Sequence, residues 1–387
     1  MNSGHRHVSS SQSRRTFLRL AFGGVLPGAG ILDQAVFRAA MARAQSRTAA
    51  ATLFDLERVA PGTYLALARP AAILNCNAVI YVCREGVMVV DTHSKPSAAA
   101  ALVAQIRREV TSKPVRWVVN THFHYDHAQG TAAYLETPPR PDVVASKTTR
   151  ALLAEHGISR VEAAIESARR NAESARKRAV DATGSVERDY WGRLAGELGA
   201  FVEEMRAWEP VLPNVTFDDD LVIRDADRTL RLVFRGRAHT ASDVCVLCER
   251  TRTIATGDLV AGFVPGMGDG YPLEWPSTLR RLAELEFRSI LPGHGPVQRD
   301  RTQLGQLRGY IEELNEAVDR ARRAGLTLEE TQARVTPASL RSLDRGGYGS
   351  FIGRALDRYT LHPPGWKAEL AIADAVRANV AVVWRAL

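Results

Sequence analysis

A chain of 387 residues, 45% apolar and 24% charged, has ordinary globular composition and is long enough for one large domain with additions, or for two. It carries no short-period repeat and no low-complexity tract, which excludes solenoid and fibrous classes. The formal net charge of +8 argues less for a polyanionic partner than it suggests: residues 1–44 hold six arginines and one aspartate, and without them the 51 basic and 43 acidic residues become 45 and 42, a net of +3. No Lys/Arg block with interleaved aromatics remains, so nucleic-acid binding is not expected.

Those first 44 residues read as an address. Ser13-Arg14-Arg15-Thr16-Phe17-Leu18 is a twin-arginine pattern, residues 20–32 are mildly apolar, and Ala42-Arg43-Ala44 offers a small-x-small cleavage site. The stretch is too short, and too broken by Gly23, Gly24, Pro27, Gly28 and Gly30, to make a good membrane span. The expectation is a signal of the twin-arginine type, handled by that export machinery, with the mature protein periplasmic or secreted. The competing reading is a disordered basic tail.

Beyond the signal, residues 52–70 read as a short strand and a turn at Pro61-Gly62. Strands at 78–83 and 87–91 form a hairpin through Arg84-Glu85-Gly86, and a helix over 97–109 leads through Pro114 to a buried strand at 115–119. A turn into a helix over 128–136 and a strand at 143–146 follow. From 148 to 208 the chain is rich in Ala, Arg and Glu, with apolar residues at helical spacing, such as Val161, Ile165 and Ala168, then Leu194, Leu198, Phe201 and Met205. This predicts an insertion of two or three helices.

Strands resume at 216–217, 221–224 and 230–234, and a second hairpin at 244–248 and 253–255 is followed by a glycine-rich loop at 262–270, a helix at 277–285 and a strand at 289–291. The order hairpin, helix, strand thus occurs twice. From residue 300 the chain reads as helices: 301–323, one opened by the capping box Thr327-Leu328-Glu329-Glu330, and a tail helix at 366–387. These should pack on the sheet or on a second subunit.

Chemistry concentrates at Thr121-His122-Phe123-His124-Tyr125-Asp126-His127, where three imidazoles and a carboxylate fall within six positions right after a buried strand. Residues two apart on extended chain point the same way, so His122 and His124 can grip one ion from one side. Asp126 and His127 lie past the strand end, where a turn can swing them toward a second. Nitrogen and oxygen donors of this kind suit zinc, with iron or manganese as alternatives. A lone histidine here would be read as a solvated strand end; the cluster is read as a metal site. Further donors, His239, Asp258 and His294, fall in glycine-flanked loops just past predicted strands. The four cysteines are Cys76, Cys83, Cys245 and Cys248. The last two lie three apart in a strand-like run and so face opposite sides, which disfavours a zinc ribbon or a redox helix turn. Buried thiols are expected, with one disulfide in an oxidising compartment as the rival.

With H-x-H-x-D-H, then a distant His, an Asp and a final His, residues 52–299 resemble the metallo-β-lactamase-fold hydrolases, with a ligand set like that of glyoxalase II. The resemblance implies an α+β fold, a four-layer αββα sandwich, here carrying the helical insertion and the C-terminal helices. It implies that His122, His124 and His239 hold one metal, that Asp126, His127 and His294 hold a second, and that Asp258 bridges them. Asp91, at the end of the first hairpin, matches the acidic residue that orients a ligand histidine in this family. Two zinc ions about 3.5–4 Å apart share a water and lower its pKa to near 7, so Asp126 and Asp258 become the catalytic carboxylates of a metal-dependent hydrolase.

The expected substrate is a small molecule with an ester-like bond: thioester, ester, lactone or phosphodiester. The bridging aspartate separates the chain from true zinc β-lactamases, making β-lactam hydrolysis at most a side reaction. Two rivals stand: a mononuclear iron enzyme like a persulfide dioxygenase, using only His122, His124 and His239, and a non-catalytic metal-binding relay protein of the periplasm. The insertion is expected either to roof the site or to serve a homodimer, and the C-terminal helices are a second candidate homodimer surface. Asp269, Tyr271 and Trp275 are candidate pocket residues, and His93 reads as a loop residue.

Overall fold

Short runs rich in Val, Ile and Leu build two sheets in the computed structural model, which describes residues 53–226 and 228–387. The segment read as an export signal lies outside the described residues. The first sheet has seven strands in sequence order: β1 (Phe54–Ala60), β2 (Thr63–Ala68), β3 (Ala78–Val82), β4 (Val87–Val90), β5 (Val115–Val119), β6 (Asp142–Ser146) and β7 (Val215–Phe217). The second has five, in the order β12 (Ser289–Pro292), β11 (Thr253–Gly257), β10 (Val244–Cys248), β9 (Arg228–Phe234), β8 (Asp220–Asp225).

Strand alternation sorts the side chains into layers. Val79, Tyr81, Met88 and Val90 of the first sheet meet Leu230, Leu232, Val244 and Val246 of the second in the central core. Their neighbours Ile80 and Val89 are equally buried on the opposite face, and helix α1 (Pro96–Glu109) makes the crossover between the parallel strands β4 and β5. Cys245 and Leu247 face outward from the second sheet, onto helices α6 (Trp275–Ala283), α7 (Thr302–Arg323), α10 (Tyr348–Tyr359) and α11 (Ala368–Ala386). The architecture is an α+β sandwich in which the C-terminal helices pack on the sheet. Each fully buried leucine or valine in these layers contributes roughly 1.5–3 kcal/mol. Cys245 and Cys248 do lie on opposite faces; all four thiols are buried and unbridged, and burial pushes Cys76 and Cys83 up to about 12.

The repeated hairpin, helix and strand is visible in the topology. β3 and β4 pair antiparallel, and α1 returns the chain to β5, parallel to β4. In the second sheet β10 and β11 pair antiparallel, and α6 returns the chain to β12, parallel to β11. The carboxyl ends of both parallel pairs lie at one end of the sandwich.

Some expectations need correction. Residues 52–70 form two strands, not one. The charges in β1 hid its pattern, as is usual for an edge strand whose outer face meets water. Helix α6 starts at Trp275, two residues before the expected start, because Pro276 sits where the first turn tolerates it. Helix α10, unforeseen, follows Gly346-Gly347 and contains Gly349 and Gly353, residues of low helix propensity; burial of Tyr348, Ile352 and Ala355 overrides this. Short helices α2 (Tyr125–Ala128), α3 (Thr131–Leu135), α8 (Leu328–Arg334, opened by the Thr327/Glu330 capping box) and α9 (Arg341–Asp344) complete the set with the two below. Among the described residues, no helix is long and apolar enough to cross a membrane.

The insertion is a hairpin of two helices, α4 (Lys147–Asp181) and α5 (Ser185–Met205). Val161, Ala168 and Ala172 pack on Leu198, Phe201 and Met205. Polar contacts seat it on the sandwich: Trp208 Nε1 donates to Gln129 O (2.8 Å), Ala72 N to Glu197 Oε2 (2.7 Å), and Ser97 N and Oγ to the two carboxylate oxygens of Glu204 (2.6 and 2.7 Å). The residue preceding α1, Lys95, gives no side-chain cap, so Glu204 caps that helix from a distant part of the chain. Glu204→Ala should therefore lower the stability of the described fold by about 1–3 kcal/mol, the cost of leaving buried Ser97 donors unpaired; chemical denaturation monitored by circular dichroism measures it.

Candidate metal centre

Strand ends and the loops after them supply every polar group of the centre. Asp91 follows β4; His122 and His124 follow β5; Asp126 and His127 sit on α2. His239 lies in the loop between β9 and β10, Asp258 begins a 3-10 turn after β11, and His294 follows β12. Hydrogen bonds across the halves fix these ends together. Val244 N donates to Thr121 O (2.9 Å), Asn77 N to Gly293 O (2.7 Å), and Asn77 Nδ2 to Pro292 O and Gly295 O (3.0 and 2.8 Å).

The resulting groupings bring donor atoms close enough to hold metal. His122, His124 and His239 each bring one donor atom within 4.8 Å of the others, and so do Asp126, His127 and His294. Asp258 stands between the sets: its Oδ1 lies 3.4 Å from His127 Nε2, and its Oδ2 lies 3.4 Å from His294 Nε2 and 3.7 Å from His239 Nε2. His122 Nε2, His127 Nε2 and Asp258 Oδ1 are buried and have no hydrogen-bond partner. Buried lone pairs of this kind are costly unless something electropositive satisfies them, and nitrogen and oxygen donors in such a cluster fit divalent zinc or a similar cation.

Electrostatics within the cluster point the same way. Burial alone would raise Asp126 and Asp258, but His127 and His294 hold both well below the usual carboxylate range. Burial alone would lower His294, yet Asp258 and Asp126 carry it up to about 9. Burial and three neighbouring imidazoles, His127, His124 and His239, keep His122 well below its ordinary value, and burial brings His239 down to about 4. One side of the cluster thus draws positive charge, while the other keeps neutral imidazoles with lone pairs to share.

The ring nitrogens turned away from the cluster are tied back. Asp91, buried and with φ of 68°, accepts from Thr121 N (2.8 Å), Thr121 Oγ1 (2.9 Å) and His127 Nδ1 (2.8 Å). Having given its proton to Asp91, Thr121 Oγ1 accepts from His122 Nδ1 at 3.0 Å. His239 Nδ1 donates to Gly266 O (2.8 Å), and His124 Nε2 meets Asp269 Oδ2 (2.9 Å). Each bond selects the tautomer that points a lone pair into the cluster.

A cleft of about 410 Å³ opens over these groups, lined on its apolar side by Leu74, Phe263, Val264 and Pro265. Phe263 stacks on His294, with ring centroids 5.6 Å apart. Asp269 lines the cleft as expected. Tyr271 and Trp275 do not: Tyr271 lies beneath the guanidinium of Arg237, and Trp275 is fully buried between helix and sheet, its Nε1 donating to Leu259 O (3.1 Å) and its ring backing His239. Their nearness in sequence to Asp258 misled: the first turn of α6 points Trp275 into the core, and Tyr271 is engaged by Arg237. His93 is a loop residue, though fully buried, with Nδ1 3.0 Å from Cys76 O. Arg160, contributed to the cleft by α4, had no signal in the sequence among the many arginines of the insertion. A larger groove, about 520 Å³, runs beside Gln306, Glu313 and Arg341 and is lined by no histidine or cysteine.

Gly293 shows how tightly the centre is built. A Cβ there would lie 2.3 Å from Asp258 Oδ1 and 2.8 Å from His127 Cε1, closer than atoms can approach. Gly293→Ala should displace both side chains and weaken metal binding by ~10–100-fold, the scale seen when ligands lose their orientation; competition with a chromophoric zinc chelator measures the loss.

The chain is similar in fold to a metallo-beta-lactamase from Pontibacter korlensis (19% identity, 67% of this chain and 99% of that one, TM-score 0.49) and to the DIM-1 metallo-beta-lactamase (16%, 67% and 97%, TM-score 0.48). It is also similar to a double mutant of the sec-alkyl sulfatase PisA1 (17%, 76% of this chain and 47% of that one, TM-score 0.54). The family model described as the metallo-beta-lactamase superfamily matches residues 72–294, more than half of the chain and all of the cluster, and the protein therefore belongs to the metallo-beta-lactamase superfamily.

Proposed function

We propose that this metal-dependent hydrolase works with two zinc ions and cleaves an ester-like bond, whether thioester, ester, lactone or phosphodiester, of a small molecule. The observation that carries the reading is the stance of Asp258, with His127 facing one carboxylate oxygen and His239 and His294 facing the other. A carboxylate between two sets of donors suits a bridge, whereas a mononuclear centre built on His122, His124 and His239 would leave Asp126, His127 and His294 without a common task. When bound, the two cations supply Lewis acidity toward the scissile oxygen and acidify water near neutral pH.

The chain's own groups do the rest. His122, His124 and His239 would hold the first position and Asp126, His127 and His294 the second, with Asp91 and Thr121 fixing two of the rings. Phe263, Leu74, Val264 and Pro265 offer an apolar wall for the body of a substrate and keep bulk water from part of the cleft. Asp126 and Asp258, held ionised by His127 and His294, supply the negative charge that would hold the cations and are too weakly basic to serve as proton acceptors.

Metal analysis of the purified chain should find about two zinc per molecule, and Asp258→Asn should lose the second equivalent and at least ~100-fold in turnover, the scale lost with one group that stabilises developing charge. One iron with thiol-dependent oxygen uptake would favour the mononuclear rival. A zinc-loaded chain inert toward all four ester classes would favour a non-catalytic relay role.

Export by the twin-arginine route belongs to the same proposal, supported by Ser13-Arg14-Arg15-Thr16-Phe17-Leu18 and the small-x-small site at Ala42-Arg43-Ala44. Replacing Arg14 and Arg15 by lysine should leave the protein in the cytoplasm; periplasmic accumulation of that variant, followed by cell fractionation, would remove this part of the reading.

A further inference from the structure

His124 is oriented differently from the other rings of the cluster. Its Nδ1 lies 2.9 Å from His239 Nε2, inside the first donor set, and its Nε2 lies 2.9 Å from Asp269 Oδ2. The other carboxylate oxygen of Asp269 accepts from Arg160 Nη2 at 2.8 Å. Arg160 belongs to α4, and its guanidinium lies over the ring of Phe123, 4.6 Å from the centroid. Phe123 in turn contacts His124, with ring centroids 4.8 Å apart. One helix of the insertion therefore reaches a ring of the candidate centre twice, through a charged pair and through an aromatic ring. The other tethers, Asp91 with Thr121 and the carbonyl of Gly266, come from the sandwich and its loops.

An imidazole presents a lone pair at Nδ1 only if Nε2 carries the proton, and a carboxylate acceptor at Nε2 both selects that tautomer and makes the ring a stronger donor. Asp269 is poorly placed to do this unaided. Its side chain is 35% exposed, so water competes for the carboxylate, and the backbone bonds of its loop, Gly270 N to Met267 O (2.8 Å) and Tyr271 N to Ala238 O (2.7 Å), fix the chain but not the side chain. Arg160 supplies the missing restraint from the opposite side, with its own position set by the Phe123 ring.

We propose that Asp269 is a positioning residue for His124, held by Arg160, so that the seating of the insertion hairpin on the sandwich sets the metal affinity of the first position. This rests on the two-cation reading above and assigns the insertion a task at the centre itself. The ligand side chains of the second position, Asp126, His127 and His294, make no hydrogen bond to Asp269 or Arg160 among the described residues, so loss of that pair should leave the second position unchanged.

The full chain, freed of metal and titrated with zinc against a chromophoric chelator, resolves the two equivalents; cobalt substitution adds a visible spectrum sensitive to ligand geometry. Asp269→Ala should weaken one equivalent by ~10–100-fold, leave the other unchanged and alter the cobalt spectrum. Arg160→Ala should weaken the same equivalent by a smaller factor, and Arg160→Lys should recover much of that loss. If Asp269→Ala and Arg160→Ala bind both equivalents like the native chain and change only KM, the pair serves the substrate and the proposal is wrong. If the native chain itself takes up no more than one equivalent, the two-cation reading fails first and the proposal falls with it.

Discussion

A single buried carboxylate at the end of β4 holds the centre in register. Asp91 accepts one backbone donor, one hydroxyl and one imidazole, and through Thr121 it also governs a second imidazole. His122 and His127 belong to different donor sets, so the relative orientation of the two sets is referred to one residue of the first sheet. Its φ of 68° is unfavourable for a residue with a side chain, by an amount on the order of 1–3 kcal/mol. Three hydrogen bonds to one buried side chain are enough to hold that conformation in place.

Around this point the fold solves a solvation problem. Five imidazoles and three carboxylates cannot be withdrawn from water unless their charges are matched and their spare protons committed. The two parallel strand pairs deliver all of these groups but His239 at their carboxyl ends, and the loop between the antiparallel strands β9 and β10 brings His239. Attraction between Asp126, Asp258 and the rings of His127 and His294 gathers one half, while desolvation keeps His122 and His239 neutral in the other. Metal chemistry in this superfamily can be read as the completion of that charge pattern by cations.

Much of this was legible in the chain because the signals are local. H-x-H-x-D-H follows an apolar run, and Asp258 and His294 sit beside glycines at strand ends, so their convergence follows once the two sheets are recognised. The misses have equally local causes. Tyr271 and Trp275 are close to the site along the chain, but the entry into α6 sends Trp275 to the other side of the second sheet. Arg160 is 36 positions from His124 in an arginine-rich helix, and nothing in its neighbourhood distinguishes it from solvated arginines until the helix is seen docked. β1 was hidden by edge charges, and α10 by glycines that only tertiary packing could override.

The insertion leaves the first sheet after β6 and rejoins it at β7, which pairs in parallel with β6 from Val144 opposite Val215 to Ser146 opposite Phe217. The sheet therefore closes over the point of departure, and 68 intervening residues, 147–214, are an excursion whose length the ladder does not record. Helical turns could be added to or deleted from its far end without shifting a strand by one residue. The strand ends that carry His122, His124 and Asp91 keep their places whatever the length of that excursion.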